Sequence, residues 1–137
     1  MDDDDFKGIL SLLFIIVVII VMISGAVSKY NFAHTETELT ARILDTETKM
    51  VDKEDHWFIS VQPVVKVDGV YENAGDPEVL EVADSAVYGQ RNSSDVYFLM
   101  KQKQGAVYHF KLQGWRDPYW SKWRNIVGYT LLQDKGR

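Results

Sequence analysis

A chain of 137 residues that is 46% hydrophobic and 12% aromatic cannot be an intrinsically disordered protein, which needs low hydrophobicity and a high net charge. The absence of cysteine excludes disulfides, a thiolate nucleophile and a cysteine-ligated metal site. The net charge of −5 is uneven, with −3 in residues 1–28, −8 in residues 29–100 and +6 in residues 101–137. The acidic and basic parts either neutralise each other within one domain or leave a basic face for an acidic partner.

The first apolar segment is a run of 19 uncharged residues from Ile9 to Val27. As a helix it would be about 28 Å long, close to the hydrocarbon thickness of a bilayer. We therefore predict an acidic tail over residues 1–8, a transmembrane helix over residues 9–27 and a connector over residues 28–36. A cleaved signal peptide is the alternative, although such peptides usually have a basic start and a shorter apolar core. The predicted lipid-facing side chains include Ile9, Phe14, Val18, Met22 and Val27.

The Lys and Arg residues that flank this anchor give a weak and slightly contrary signal for its orientation, because Lys7 precedes it whereas Lys29 and Arg42 follow it. A short N-terminal tail inside the cell and a long domain outside is the simplest arrangement for a single anchor. We therefore expect one pass, with the C-terminal domain outside the cytoplasm.

Residues 37–133 predict a small domain made mainly of β-strands. Alternating polarity predicts a first strand over residues 37–51, and β-branched and aromatic residues predict a second strand over residues 57–67. The charged residues 53–56 are expected to form the turn between them. The Asp-Gly pair at residues 68–69 then predicts a tight hairpin into a third strand.

The second half of this domain has one helix placed between strands. Residues 78–88 are expected to be irregular or extended, and a serine cap with lysines at the far end predicts a short helix over residues 92–102. Alternating polarity predicts a strand over residues 105–114, the last strand covers 125–132, and residues 134–137 form a tail. Five strands with a helix between the third and the fourth predict an OB-like barrel, with a small SH3-like barrel as the alternative.

The loop between the last two strands concentrates aromatic and basic residues, because residues 114–125 hold three of the four tryptophans of the chain. Trp, Tyr and Arg dominate the contact energy of protein interfaces, so one interpretation is a partner-binding surface. Alternatively, Trp115 and Trp123 close the bottom of the barrel while Arg116 bonds loop carbonyls, or the loop lies on lipid headgroups. The predicted contact residues are Trp115, Arg116, Tyr119, Trp120, Lys122, Trp123 and Arg124.

The three histidines form no catalytic or metal-binding pattern. His34 lies in the predicted connector, His56 lies in the predicted turn, where we expect it to be solvated, and His109 lies on a strand. No histidine spacing typical of a metal site, no nucleophile elbow and no phosphate-binding glycine loop is present in the sequence. We therefore predict no enzyme activity, no cofactor, no metal and no small-molecule substrate.

The C-terminal sequence resembles the signature of a family of short phage and prophage proteins, which are anchored by a transmembrane helix or are lipoproteins. The segment GVYENAGDP at residues 69–77 is similar to the family's Phe-Glu-Asn-x-Asp segment. Asp-Pro-Tyr after Gly-Trp-Arg departs from the apolar run that is usual there. The resemblance covers about 60 of the 137 residues and implies a phage origin and a membrane address, but no reaction. The residues that carry it are Asn92 to Tyr97, Gly105, Tyr108, Gly114 to Arg116, Ser121, Trp123 and Arg124 to Ile126.

These observations predict a phage-encoded single-pass protein of the host inner membrane, whose periplasmic or otherwise extracytoplasmic domain binds or blocks an envelope component. Host modulation or superinfection exclusion would require only such binding. The expected partners are the lipid bilayer, through the N-terminal helix, and an envelope protein. One alternative is a structural or assembly accessory protein of the phage. Another is a module for single-stranded nucleic acid, which the acidic domain and an external location disfavour.

Overall fold

The N-terminal helix α1 covers Asp3–His34, in a computed structural model that describes residues 2–51, 54–85, 88–89 and 93–134. Its 32 residues extend about 48 Å at 1.5 Å per residue. The helix is long and apolar enough to cross a membrane, and none of its described residues is buried by protein. All of the predicted lipid-facing side chains are exposed, namely Ile9, Phe14, Val18, Met22 and Val27.

Helix α1 is longer than the predicted transmembrane segment at both ends. Most of the predicted acidic tail is helical, because Asp2 Oδ1 accepts the Asp5 amide at 2.9 Å and acidic side chains favour the positive end of a helix. The predicted connector is helical as far as His34, since residues 28–34 contain no glycine or proline that would end the helix. The chain divides into two compact units, Met1–Phe32 and Ala33–Arg137.

The second unit is mainly β, as predicted. Its described strands number six rather than the five predicted, because Gly75 at φ 81° and Pro77 separate the hairpin strand from the strand that follows it. The Asp-Gly hairpin is confirmed, since Asp68 and Gly69 both have positive φ. The elements are β1 (Glu36–Val51), β2 (Glu54–Val67), β3 (Val70–Asn73), β4 (Glu78–Val82), α2 (Ser93–Gln102), β5 (Val107–Gln113) and β6 (Asn125–Gln133).

Five of these strands, all except β3, each pair with two neighbours among the five and so form a closed ring. β1 is antiparallel to β2 and β5, β2 is antiparallel to β4, and β5 is antiparallel to β6. β4 and β6 complete the ring in parallel through a single registered pair, Glu81 with Asn125, so the sheet is not a clean barrel. β3 pairs with β2 outside the ring. We call the short β4–β6 contact the seam.

Side chains complete the seam where main-chain pairing is short. Asn125 is buried, its Oδ1 accepts the Ala83 amide at 2.8 Å, and its Nδ2 donates to the Ala83 carbonyl at 3.0 Å and to Gln113 Oε1 at 3.2 Å. Next to it, Arg124 Nε donates to Glu78 Oε1 at 2.7 Å, and Arg124 Nη2 donates to Glu78 Oε2. The side-chain amide of Asn125 and the ion pair between Arg124 and Glu78 therefore hold β6 against β4.

The predicted turn at residues 53–56 is wrong over its described part. Glu54 and His56 belong to β2, because pairing with β1 continues through Thr48 opposite Trp57 to Val51 opposite Glu54. Lys53 lies outside the described residues. Asn92 of the predicted helix and residues 135–137 of the predicted tail also lie outside the described residues. Asp134, the first residue of that tail, forms an ion pair with Lys103 at 3.1 Å.

The core lies inside the ring and under α2, whose predicted extent is otherwise confirmed. Alternate residues of β1, β2, β4 and β5 contribute to this core, as the alternation in β5 predicted, whereas among the described residues β6 contributes only Ile126 and β3 contributes none. The Ser93 amide donates to Asp84 Oδ1 at 3.0 Å, which ties the start of α2 to the segment after β4. The buried side chains that pack together are Ala41, Ile43, Ile59, Val61, Leu80, Val82, Val96, Tyr97, Met100, Ala106, Tyr108, Phe110, Leu112 and Ile126.

Candidate binding face

The aromatic loop, residues 114–124, connects β5 to β6 and is folded back on itself. The amide of Asp117 donates to the Lys122 carbonyl and the amide of Lys122 donates to the Asp117 carbonyl, both at 2.9 Å. Asp117 Oδ1 also accepts the Tyr119 amide at 3.1 Å and the Trp120 amide at 3.4 Å. An Asp side chain that bonds the amides following it fixes a tight turn. Residues 118–121, the tip of the loop, therefore have a defined backbone.

The tip presents two aromatic rings to solvent. The side chains are 83% exposed at Tyr119 and 68% exposed at Trp120. The two rings contact each other edge to face, with centroids 5.0 Å apart and planes at 85°. This is a favourable aromatic geometry, so the pair forms one exposed unit rather than two independent side chains.

The base of the loop covers the outer surface of β2. The Arg116 guanidinium lies over the Trp123 ring at 4.6 Å, and its Nη1 donates to the carbonyls of Lys122 at 2.7 Å and Asp117 at 3.3 Å. The Trp123 ring in turn meets Phe58 edge on, with centroids 4.7 Å apart. Phe58 is 1% exposed although it points away from the core. The interpretation that Arg116 bonds loop carbonyls is confirmed.

A groove lies beside this stack, on the outer face of β1, β2 and β4. The strand register places Phe58 between Glu47 of β1 and Glu81 of β4, and places Ser60 opposite Val79. The groove has a volume of about 230 Å³. It carries two basic groups and one acidic group on aromatic and aliphatic walls. Its lining residues are Glu47, Lys49, Phe58, Val79, Arg116 and Trp123.

A second cavity, of about 180 Å³, lies further along the same face. His56 Nδ1 is 2.6 Å from Glu81 Oε1, and the His56 ring stacks on Phe58 with centroids 6.2 Å apart. The expectation that His56 is solvated in a turn is therefore wrong, because β2 continues through it and brings it against β4. The lining residues of this cavity are His56, Trp57, Glu81, Val82, Ala83, Asp84 and Ser93.

The seven predicted contact residues have different environments. Tyr119 and Trp120 are exposed at the tip, whereas Arg116 and Trp123 form the groove wall. The others are half-buried: Trp115, Lys122 in the loop's backbone pairing, and Arg124 in the seam. Arg124 also donates from Nη1 to Thr37 Oγ1 at 3.2 Å, so it is a structural brace and not a free contact residue.

Sequence reasoning missed the strand residues of the groove. Phe58 precedes Ile59 in β2, so strand alternation places the two side chains on opposite faces, but nothing local indicates that a distant loop covers the outer face. Val79 and Lys49 have the same ordinary strand patterns as solvent-facing residues. Only the long-range pairing of β2 with β1 and β4 brings them together.

The remaining titratable groups of the β unit are dispersed over its described residues. His109 Nδ1 lies 3.1 Å from Thr40 Oγ1, and its Nε2 lies 3.6 Å from Glu38, both on β1. Burial raises the pKa of the Tyr108 hydroxyl, with Lys103 opposing the shift. Within the part of the chain that the structure describes, no group of three His, Asp or Glu side chains could hold a metal.

A comparison with known proteins finds no matching family model and no similar curated protein. The resemblance to the phage family, and the origin that it implies, therefore stay predictions. What the chain does has to be argued from its own geometry: an apolar helix, a mainly β unit and a groove beside an aromatic loop.

Proposed function

We propose that this chain is a membrane-anchored binding protein of phage origin, and that its β unit occupies an envelope component of the host and blocks it. In this proposal α1 spans the inner membrane and the β unit lies outside the cytoplasm. Modulation of the host or exclusion of a second phage would follow from occupancy alone. Anchoring supports this mechanism, because confinement to the membrane raises the effective concentration of the β unit against partners there.

We further propose that the β unit is OB-like rather than SH3-like. The ring order β1–β2–β4–β6–β5, the parallel contact of β4 with β6 and the position of α2 between β4 and β5 support this assignment. OB barrels bind ligands on the face of their second and third strands and with the loop between their fourth and fifth strands. In this chain those parts are β2, β4 and the aromatic loop, which line the groove together.

The observation that carries the proposal is the preassembled stack of Arg116 on Trp123 on Phe58 along the groove. Arg and Trp are enriched at the energetic centres of interfaces, and a wall that is already ordered loses little entropy on binding. The groove volume of about 230 Å³ is below the roughly 300–1,000 Å³ typical of small-molecule pockets. This size favours one or two side chains of a protein partner over a small ligand.

The test places a photo-crosslinking amino acid at Val79, which is 37% exposed in the groove, in the full-length protein in intact host cells. We expect one discrete adduct with an envelope protein. The matched control is Val65, which is 50% exposed on β2 where that strand pairs with β3, outside the groove. No adduct from Val79, or the same adduct from both positions, would overturn the assignment of the groove.

Sidedness is tested with the variant Val65→Cys, because Val65 is 50% exposed outside the groove and the chain has no other cysteine. A maleimide that cannot cross the membrane should label it in spheroplasts. Protection from the reagent would place the β unit in the cytoplasm and contradict the envelope proposal. The OB-like order would then favour the single-stranded nucleic acid alternative, with its salt-dependent affinity.

A further inference from the structure

We propose that the tip of the aromatic loop is a membrane-surface contact, in which Tyr119 and Trp120 insert into the interface of the bilayer that holds α1. This site is separate from the groove. It would set the orientation of the β unit on the membrane rather than select its partner.

The first argument is where the chain leaves the bilayer. The uncharged run ends at Val27, and α1 continues to His34. Those seven further residues rise about 10 Å, whereas the headgroup layer on each side of a bilayer is roughly 5–8 Å thick. Ala33 and Thr35 therefore stand close to the outer limit of the headgroups.

The second argument is that the aromatic loop is bonded to this same point of the chain. The Gly114 amide donates to the Thr35 carbonyl at 2.9 Å, and Gln113 Nε2 donates to the Ala33 carbonyl at 3.0 Å. Arg124, at the other end of the loop, donates to Thr37 Oγ1 at 3.2 Å. Both ends of the loop are thus fixed beside the first residues of the β unit, which are the residues of that unit that follow α1 most closely along the chain.

The third argument is reach. Five residues separate Gly114 from Tyr119, and an extended chain of that length covers up to about 17 Å. The headgroup layer is thinner than this span. The backbone bonds of Asp117 with Lys122 keep the two arms of the loop paired, so residues 118–121 form one closed turn that presents both rings together.

The chemistry of the tip fits lipid better than a folded partner. Tyr and Trp rings concentrate at bilayer interfaces, where an apolar body and a polar edge are both satisfied. Interface hot spots in proteins are surrounded by a rim of contacts that excludes water. Tyr119 and Trp120 are both more than two-thirds exposed, so the described residues around them do not form such a rim. The Asp117 carboxylate beside them accepts two tip amides and so faces the backbone.

The absence of native cysteine allows a direct test with single labels. Full-length Tyr119→Cys, carrying an environment-sensitive NBD dye, is reconstituted into vesicles of phosphatidylethanolamine and phosphatidylglycerol. The control is Leu132→Cys, 44% exposed near the other end of the β5–β6 pair, which joins Val107 to Gln133. Trp120→Cys is a second tip variant in case the first fails to fold, which circular dichroism reports.

We expect the tip label to emit at shorter wavelength than the control label. Lipids with a quencher just below the headgroups should quench the tip label several-fold more strongly than the control, and aqueous iodide should do the reverse. Equal quenching of both labels by iodide, with no preference for the lipid quencher, would overturn the proposal. A blue-shifted tip label that the lipid quencher does not reach would also overturn it, because the tip would then be covered by another copy of the protein. Neither result depends on crosslinking from Val79, so the two proposals fail separately.

Discussion

Replacing Asn125 by Ala should be among the most damaging single changes in the β unit. Asn125 makes two hydrogen bonds across the seam, both with the backbone of Ala83, and a third with Gln113 of β5. It is 5% exposed, so water cannot easily replace those bonds. The substitution also leaves a small cavity between β4 and β6, where only Glu81 and Asn125 are in register.

Each of these bonds contributes about 1 kcal/mol, so the free energy of unfolding should fall by about 3 kcal/mol. For a domain of this size one kcal/mol shifts Tm by about 4 °C, which predicts a loss of roughly 12 °C. The assay is thermal unfolding of the full-length protein in detergent, followed by near-ultraviolet circular dichroism of its tryptophans.

Asn73→Ala is the matched control. Asn73 is exposed, and its Oδ1 accepts one bond from Arg42 at 3.2 Å. Exposed polar contacts of this kind contribute little, so Tm should change by only about 2 °C or less. If Asn125→Ala and Asn73→Ala melt at the same temperature, side chains do not hold the seam and the reasoning is wrong.

Three further changes test other parts of the molecule. Glu78→Gln keeps the shape of the side chain but removes the charge that pairs with Arg124 at the seam. The free energy of unfolding, measured by urea titration, should therefore fall by about 1–2 kcal/mol. Trp120→Ala should leave Tm within about 2 °C of the parent, because the ring is 68% exposed; a large fall would show that it packs against the fold. Burial raises the pKa of Tyr108 above 10.0, so the folded state holds that proton more tightly than the unfolded chain. The stabilisation that this pKa difference gives the folded state is present below about pH 10 and is lost above it. Between about pH 9 and about pH 11, the Tm of Tyr108→Phe should therefore fall by less than the Tm of the parent protein.

Local patterns were sufficient for the parts of the fold that neighbouring residues determine. The alternation through Tyr108, Phe110 and Leu112 predicted the inner face of β5, and all three are buried. The Asp-Gly turn has the positive φ values that its residue types favour. The short helix α2 was also predicted, although the described bond at its start is accepted by Asp84, nine residues earlier, and not by a serine side chain.

The parts that were missed depend on contacts between distant segments. The charged sequence before Trp57 looks like a turn, yet pairing with β1 extends β2 through it and sets His56 against Glu81. Arg124 looks like a free basic residue in an aromatic loop, but it is bonded to Glu78 and Thr37. No periodicity in a single sequence reports which distant carboxylate will stand next to an arginine.

The path of mechanical load through the β unit follows from the bonds around Ala33 and Thr37. A pull on α1 would enter the unit there, where it would load the β1–β5 ladder that begins at Glu36 and the side chains of Gln113 and Arg124. Gln113 accepts from Asn125, and Arg124 is bound to Glu78, so part of this load would pass to the seam as well as to the β1–β5 ladder. The shortest line of main-chain pairing in the ring would thus share the tension, and the loop that ends at Arg124 would move with it.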